Sequence, residues 1–215
     1  MKIAFSYDID KDAQNFIKSA RSINNIKPTK LQELYIIEQG ENFDLIKVNA
    51  FIEKYVGENK IDLVLTASEI DKNWQRIEQE FVRRTENIFG PYPTDIHAYL
   101  SINSRCTYDI NQNYFFVFIA GKNTNAIIMH ELLHFYTWHR LHSVLIKRGI
   151  SPEKYNDLKE SLTEFLNFEY KDLMEGYEDK GYLQHKEMRE LVRKTWAQNK
   201  DLDYLIAEMI VATRP

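Results

Sequence analysis

Apolar residues recur at three- and four-residue spacing up to about residue 90, and at alternate positions soon after it. The first regime predicts helices and the second predicts strands. A short strand is expected at 2–7. Helices are expected at 10–24, ending before Pro28, at 29–39, stopped by Gly40, and at 43–56, stopped by Gly57. The longest stripe, Ile70, Trp74, Ile77, Phe81, Thr85 and Ile88, predicts one helix over 68–89 with Ser68 as its N-cap. Gly90-Pro91-Tyr92-Pro93 then interrupts the chain.

Beyond that break, Ile96, Ala98, Leu100 and Ile102 alternate with less apolar residues, which predicts a strand over 95–103. A further extended piece is expected at 106–110. The aromatic and β-branched run at 114–120 reads as a strand buried on both faces. Helices are expected at 124–148, at 153–174, at 185–198 and at 201–212. The expectation is an α+β fold in which a mainly helical N-terminal portion, 1–90, packs on a core formed by 91–215.

Composition narrows the class of protein. Of the 215 residues, 44% are hydrophobic and 13% aromatic, which supports a folded core rather than disorder. The formal net charge is -4 and the basic residues are scattered, so no nucleic-acid footprint is expected. No apolar stretch approaches the roughly 20 residues of a membrane span, and the apolar start is too short for a signal peptide. A cytoplasmic location without membrane association is expected. The single cysteine, Cys106, cannot form an intramolecular disulfide.

Candidate chemistry lies within the helix expected at 124–148, where residues 130–134 read His-Glu-Leu-Leu-His. Side chains at i and i+4 lie one above the other on a helix, so His130 and His134 can reach one ion. Glu131 projects beside that ion, placed to take a proton from an activated water. A catalytic zinc needs one more protein ligand and an open position. The extended HExxHxxGxxH pattern fails here, because Thr137 and Arg140 occupy its glycine and third-ligand positions. His139 and His142 are out of register with 130 and 134 and are expected to face solvent. Cys106 is expected to be a small buried residue rather than an upstream ligand, and Leu133 stands where deformylases carry Asp. On the next helix Glu160 and Glu164 share a face one turn apart.

With HExxH upstream, this pair resembles the arrangement of gluzincin-type zincins, including small bacterial members with a Lys-Glu-Ser-Leu-Thr-like segment after the HExxH helix. The Ser104–Tyr108 stretch is also similar to theirs, and the likeness covers about 95–168. The resemblance implies a zincin-like core with a small mixed sheet, an active-site helix and a ligand-bearing helix behind it. It implies Zn2+ as cofactor, His130, His134 and Glu160 as metal ligands, and Glu164 supporting a ligand histidine through its second ring nitrogen. It also implies a metallopeptidase with Glu131 as general base and a peptide or protein substrate. Neither the GxMEN segment of the aminopeptidase branch nor a thermolysin-type companion domain is found.

His185, Tyr177, Tyr182, Tyr108 and Tyr114 are candidate donors to the oxyanion of amide hydrolysis. An edge strand near 105–110 is a candidate for pairing with an extended peptide. Two other readings stand beside the peptidase: a zinc-binding regulatory or interaction module without turnover, and a hydrolase of non-peptide amides.

Overall fold

A computed structural model describes residues 1–21 and 27–213. The fold is α+β with a small mixed four-stranded sheet. The chain forms two compact units, Met1–Gln75 with Thr94–Thr124, and Arg76–Pro93 with Asn125–Pro215. Among the described residues no helix is long and apolar enough to cross a membrane.

The first unit holds β1 (Ile3–Ser6), α1 (Ile9–Arg21), α2 (Lys30–Gln39), α3 (Leu45–Glu58) and α4 (Leu63–Gln75), then β2 (Ile96–Ser101), β3 (Tyr108–Asp109) and β4 (Tyr114–Phe118). The sheet order is β1-β2-β4-β3. The first three strands are parallel, and the two-residue β3 pairs antiparallel to β4 at the edge, with Tyr108 opposite Phe115. Consecutive buried residues Phe115, Phe116 and Val117 show that β4 is covered on both faces, as its composition predicts.

Helices α1 to α3 bury Phe16, Tyr35, Val48, Phe51 and Ile52 against one another. Thr29 and Gln32 form a reciprocal capping box at the start of α2, and Asp44 caps α3. Beneath them a buried polar network ties α1 to the chain after β2. Asp12 accepts from Ser101 Oγ at 2.5 Å and from the Ile102 amide at 3.2 Å. Asn15 donates to Ser101 Oγ at 2.9 Å and accepts from the Thr107 amide at 3.0 Å.

Three sequence expectations in this part of the chain need correction. Helix α3 continues through Gly57, which keeps a negative φ there and needs no left-handed cap. The helix expected at 68–89 is two helices, α4 and α5 (Glu78–Phe89), with the break between Gln75 and Glu78. Its single stripe is divided accordingly: Ile70 and Trp74 are buried in the first unit, Phe81 and Thr85 in the second. Ser68 lies inside α4, and Asp62 instead accepts the Leu65 amide at 2.9 Å. Residues 22–24 of the expected first helix lie outside the described residues.

The second unit continues from α5 to α6 (Thr124–Thr137), a π turn (Trp138–His142) and α7 (Ser143–Lys147), which together span most of the helix expected at 124–148. Next come α8 (Pro152–Leu162), a 3₁₀ segment (Thr163–Asn167), a second 3₁₀ turn (Leu183–His185), α9 (Lys186–Gln198) and α10 (Leu202–Ala212). The helix expected at 153–174 therefore stops early. Ser161 Oγ and Thr163 Oγ1 hydrogen-bond back to the carbonyls of Asp157 and Glu160, at 2.7 and 2.8 Å, in the region where the winding tightens. The chain beyond is held by α5 rather than by its own helix. Arg84 forks onto Asp172 at 2.7 and 2.8 Å, and Thr85 Oγ1 meets the Tyr170 hydroxyl at 2.9 Å. Phe165 is the centre of this core, with its ring 5.8 Å from Phe89 and 4.8 Å from Trp196.

Candidate metal centre

Helix α6 is buried almost all round from Asn125 to Thr137, as its uniformly apolar composition requires. Leu132 and Leu133 are fully inside, which leaves His130 and Glu131 half-buried on the opposite side. One turn on, His134 stacks edge-on to His130, with ring centroids 4.6 Å apart. Helix α8, started by Ser151 and Pro152, brings Glu160 to the same place. Its carboxylate lies 3.9 Å from His130 Nε2 and 3.4 Å from His134 Nε2.

One ligand atom from each of His130, His134 and Glu160 lies within 4.8 Å of the others, and these three side chains could hold a metal ion. The donor set, two imidazoles and one carboxylate, suits a divalent transition metal. Glu131 stands beside it with one carboxylate oxygen buried and making no hydrogen bond. Burial raises the pKa of this carboxyl group to about 7, against the opposing charges of His130 and Lys159.

The second ring nitrogen of His130 meets an acid, but not the one expected. His130 Nδ1 lies 3.1 Å from Asp179 Oδ2, in the irregular segment between Asn167 and Leu183. Glu164 is turned elsewhere. One of its oxygens accepts from Arg193 Nε at 2.9 Å; the other accepts from Arg189 at 2.7 Å and from the Asn167 amide at 3.0 Å. The cause is the 3₁₀ winding that begins at Thr163, which rotates Glu164 off the face that carries Glu160.

Glu164 nevertheless acts on the site at one remove. It holds Arg189, whose guanidinium donates to the Asp179 carbonyl at 2.5 Å and to Thr163 Oγ1 at 2.7 Å. The Asn167 side chain pairs with both backbone groups of Asp179 at 2.8 Å. Asp179 is thus fixed from three sides. Burial works against its ionisation, but the His130 hydrogen bond and the charges of His130 and Arg189 outweigh it and hold the pKa at about 2.

A cleft of about 320 Å³ opens on this group, lined by Ala126, Ile127, His130, Glu131, Tyr177 and Tyr182 among others. Of the five candidate oxyanion donors, Tyr177 and Tyr182 line it. Burial and the charges of Glu160 and Glu131 raise the Tyr182 pKa, so its hydroxyl stays protonated. His185 is buried and paired with Asp157 at 2.9 Å. Tyr108 and Tyr114 belong to the first unit, as does half-buried Cys106, whose Sγ approaches the Asn103 carbonyl at 3.7 Å.

The π turn after α6 shifts the register of the residues that follow. His139 is exposed, as expected. His142 is only half-exposed, stacked on Trp138 with ring centroids 3.4 Å apart. Arg140 reaches Asp203 at 3.1 Å.

Asp179 was not anticipated from the sequence. Its segment has no period, and the one available signal is an acidic residue next to turn-forming residues after the helix that carries Glu160. No family model matches the chain, and neither curated proteins nor solved structures give a match.

Proposed function

We propose that the protein is a zinc-dependent hydrolase of peptide bonds, built on a zincin-like core. One observation carries the reading: a His130, His134 and Glu160 cluster stands beside a buried Glu131 oxygen that makes no hydrogen bond. Three protein ligands suit a catalytic rather than a structural zinc, which would be closed by four. A structural site would also have no use for Glu131.

When bound, zinc supplies Lewis acidity to the attacking water and to the scissile carbonyl. The remaining chemistry belongs to the chain. Glu131 takes a proton from the water as its oxygen bonds to the carbonyl carbon. As the carbon–nitrogen bond breaks, Glu131 passes that proton to the leaving amine. The Tyr182 hydroxyl, at the wall of the cleft, donates to the carbonyl oxygen as charge develops there. Asp179 keeps the His130 proton on Nδ1, so that Nε2 presents its lone pair.

Metal analysis of the wild type and a Glu131→Gln variant, with a peptide library as substrate, tests the proposal. The variant is expected to keep stoichiometric zinc and lose about 10²–10⁴-fold in turnover. Stoichiometric zinc with no hydrolysis to lose would favour a binding module. A wild type without zinc affinity would refute the site itself.

A further inference from the structure

Lys159 is only 2% exposed, yet its ammonium group ends in the metal cluster, 2.8 Å from Glu160 Oε1. Helix geometry does not supply this contact, because neighbours in sequence point in different directions around a helix. A buried lysine is costly unless its charge is paired. The two oxygens of Glu160 also differ. Oε1 lies 3.4 Å from His134 Nε2 and is the one held by Lys159; Oε2 lies 3.9 Å from His130 Nε2. Both face a histidine, so an unrestrained carboxylate here could chelate a cation through both.

We propose that Lys159 is a positioning residue whose buried ammonium group occupies one oxygen of Glu160, so that Glu160 offers only the other to a metal ion. The inference rests on the metal site proposed above. A carboxylate restricted to one oxygen, with two imidazoles, leaves a coordination position for water. Lys159 therefore serves the site through Glu160.

The test is the visible spectrum of the full-length protein loaded with Co2+ in place of zinc, compared among wild type, Lys159→Met and Lys159→Arg. Four-coordinate cobalt absorbs strongly, and a second Glu160 oxygen raises the coordination number and weakens the bands. Lys159→Met is expected to bind cobalt with a marked loss of intensity, whereas Lys159→Arg, which keeps a cationic donor, retains the wild-type spectrum. A Met variant that binds cobalt more tightly with an unchanged spectrum would overturn the proposal, because Lys159 would then be only a counter-ion displaced by metal. Should the Met variant fail to fold, a folded Arg variant that loses the intensity would overturn it equally. Wild-type protein that takes up no cobalt would instead remove the metal site beneath it.

Discussion

Asp179 Oδ2 sits 3.1 Å from His130 Nδ1, and this contact links the helix that carries His130 and His134 to a segment without regular structure. An imidazole that donates from one nitrogen to a carboxylate is fixed in tautomer and orientation and is a stronger donor through the other. Asp179→Ala is expected to weaken zinc binding by about 10- to 100-fold while the folded far-UV spectrum is kept. Competition against a chromophoric chelator measures it. An unchanged affinity would show that His130 is oriented by other means.

Gly181 controls the same contact from two residues away. It adopts a φ of +57°, and a Cβ there would meet the Arg189 guanidinium at 2.7–2.8 Å. A long side chain would usually yield, but Arg189 is pinned by Glu164, Thr163 and Asp179. Gly181→Ala is expected to cost about 1–2 kcal/mol from the left-handed backbone alone, and to loosen Asp179 as Arg189 is displaced. The midpoint of chemical denaturation and the zinc affinity should therefore both fall. If only stability changes, Arg189 does not transmit the effect.

His130, Glu131 and His134 were legible in the sequence because one regular helix carries them, and helical spacing converts directly into a shared face; Glu160, on the next helix, was reached only through the resemblance to gluzincins. The role that the resemblance gave to Glu164 also presumed that it shares the Glu160 face. The i+4 rule assumes α winding, and the chain tightens to 3₁₀ at Thr163, just before Glu164. Asp179 was invisible because long-range partners, Asn167 and Arg189, set its position rather than any local period. The break between α4 and α5 carried no glycine or proline; it follows from burial of Trp74 and Phe81 in different units.

Tyr182 offers a test of the hydrolytic reading that leaves the metal alone. Tyr182 lines the cleft with His130 and Glu131, and removing one oxyanion donor costs on the order of 10²–10³-fold in turnover. Tyr182→Phe is expected to lower kcat by such a factor with KM and zinc content little changed. Tyr177→Phe, at the same cleft, serves as the control. Equal and small effects of both would assign the tyrosines to the wall of the cleft only.

Asp12 makes the first unit sensitive to pH. Burial outweighs the hydrogen bonds from Ser101 and Ile102 and raises its pKa to about 6, above the roughly 3.9 of an unfolded aspartate. The folded state therefore binds the proton more tightly than the unfolded state does. Between about pH 4 and pH 6 the unfolded chain releases that proton while the folded chain holds it, so the Asp12 contribution to stability declines as pH rises. Above pH 6 the cost is complete, about 3 kcal/mol for a shift of this size. An asparagine side chain at this position would not titrate, so Asp12→Asn supplies the reference. The stability of the wild type relative to this variant should rise by up to about 3 kcal/mol as pH is lowered from 7 to 4. Urea unfolding followed on Trp74, the tryptophan of the first unit, reads the difference. A difference that does not vary with pH would mean that Asp12 remains ionised in its network of donors, and that those hydrogen bonds, rather than burial, set its charge.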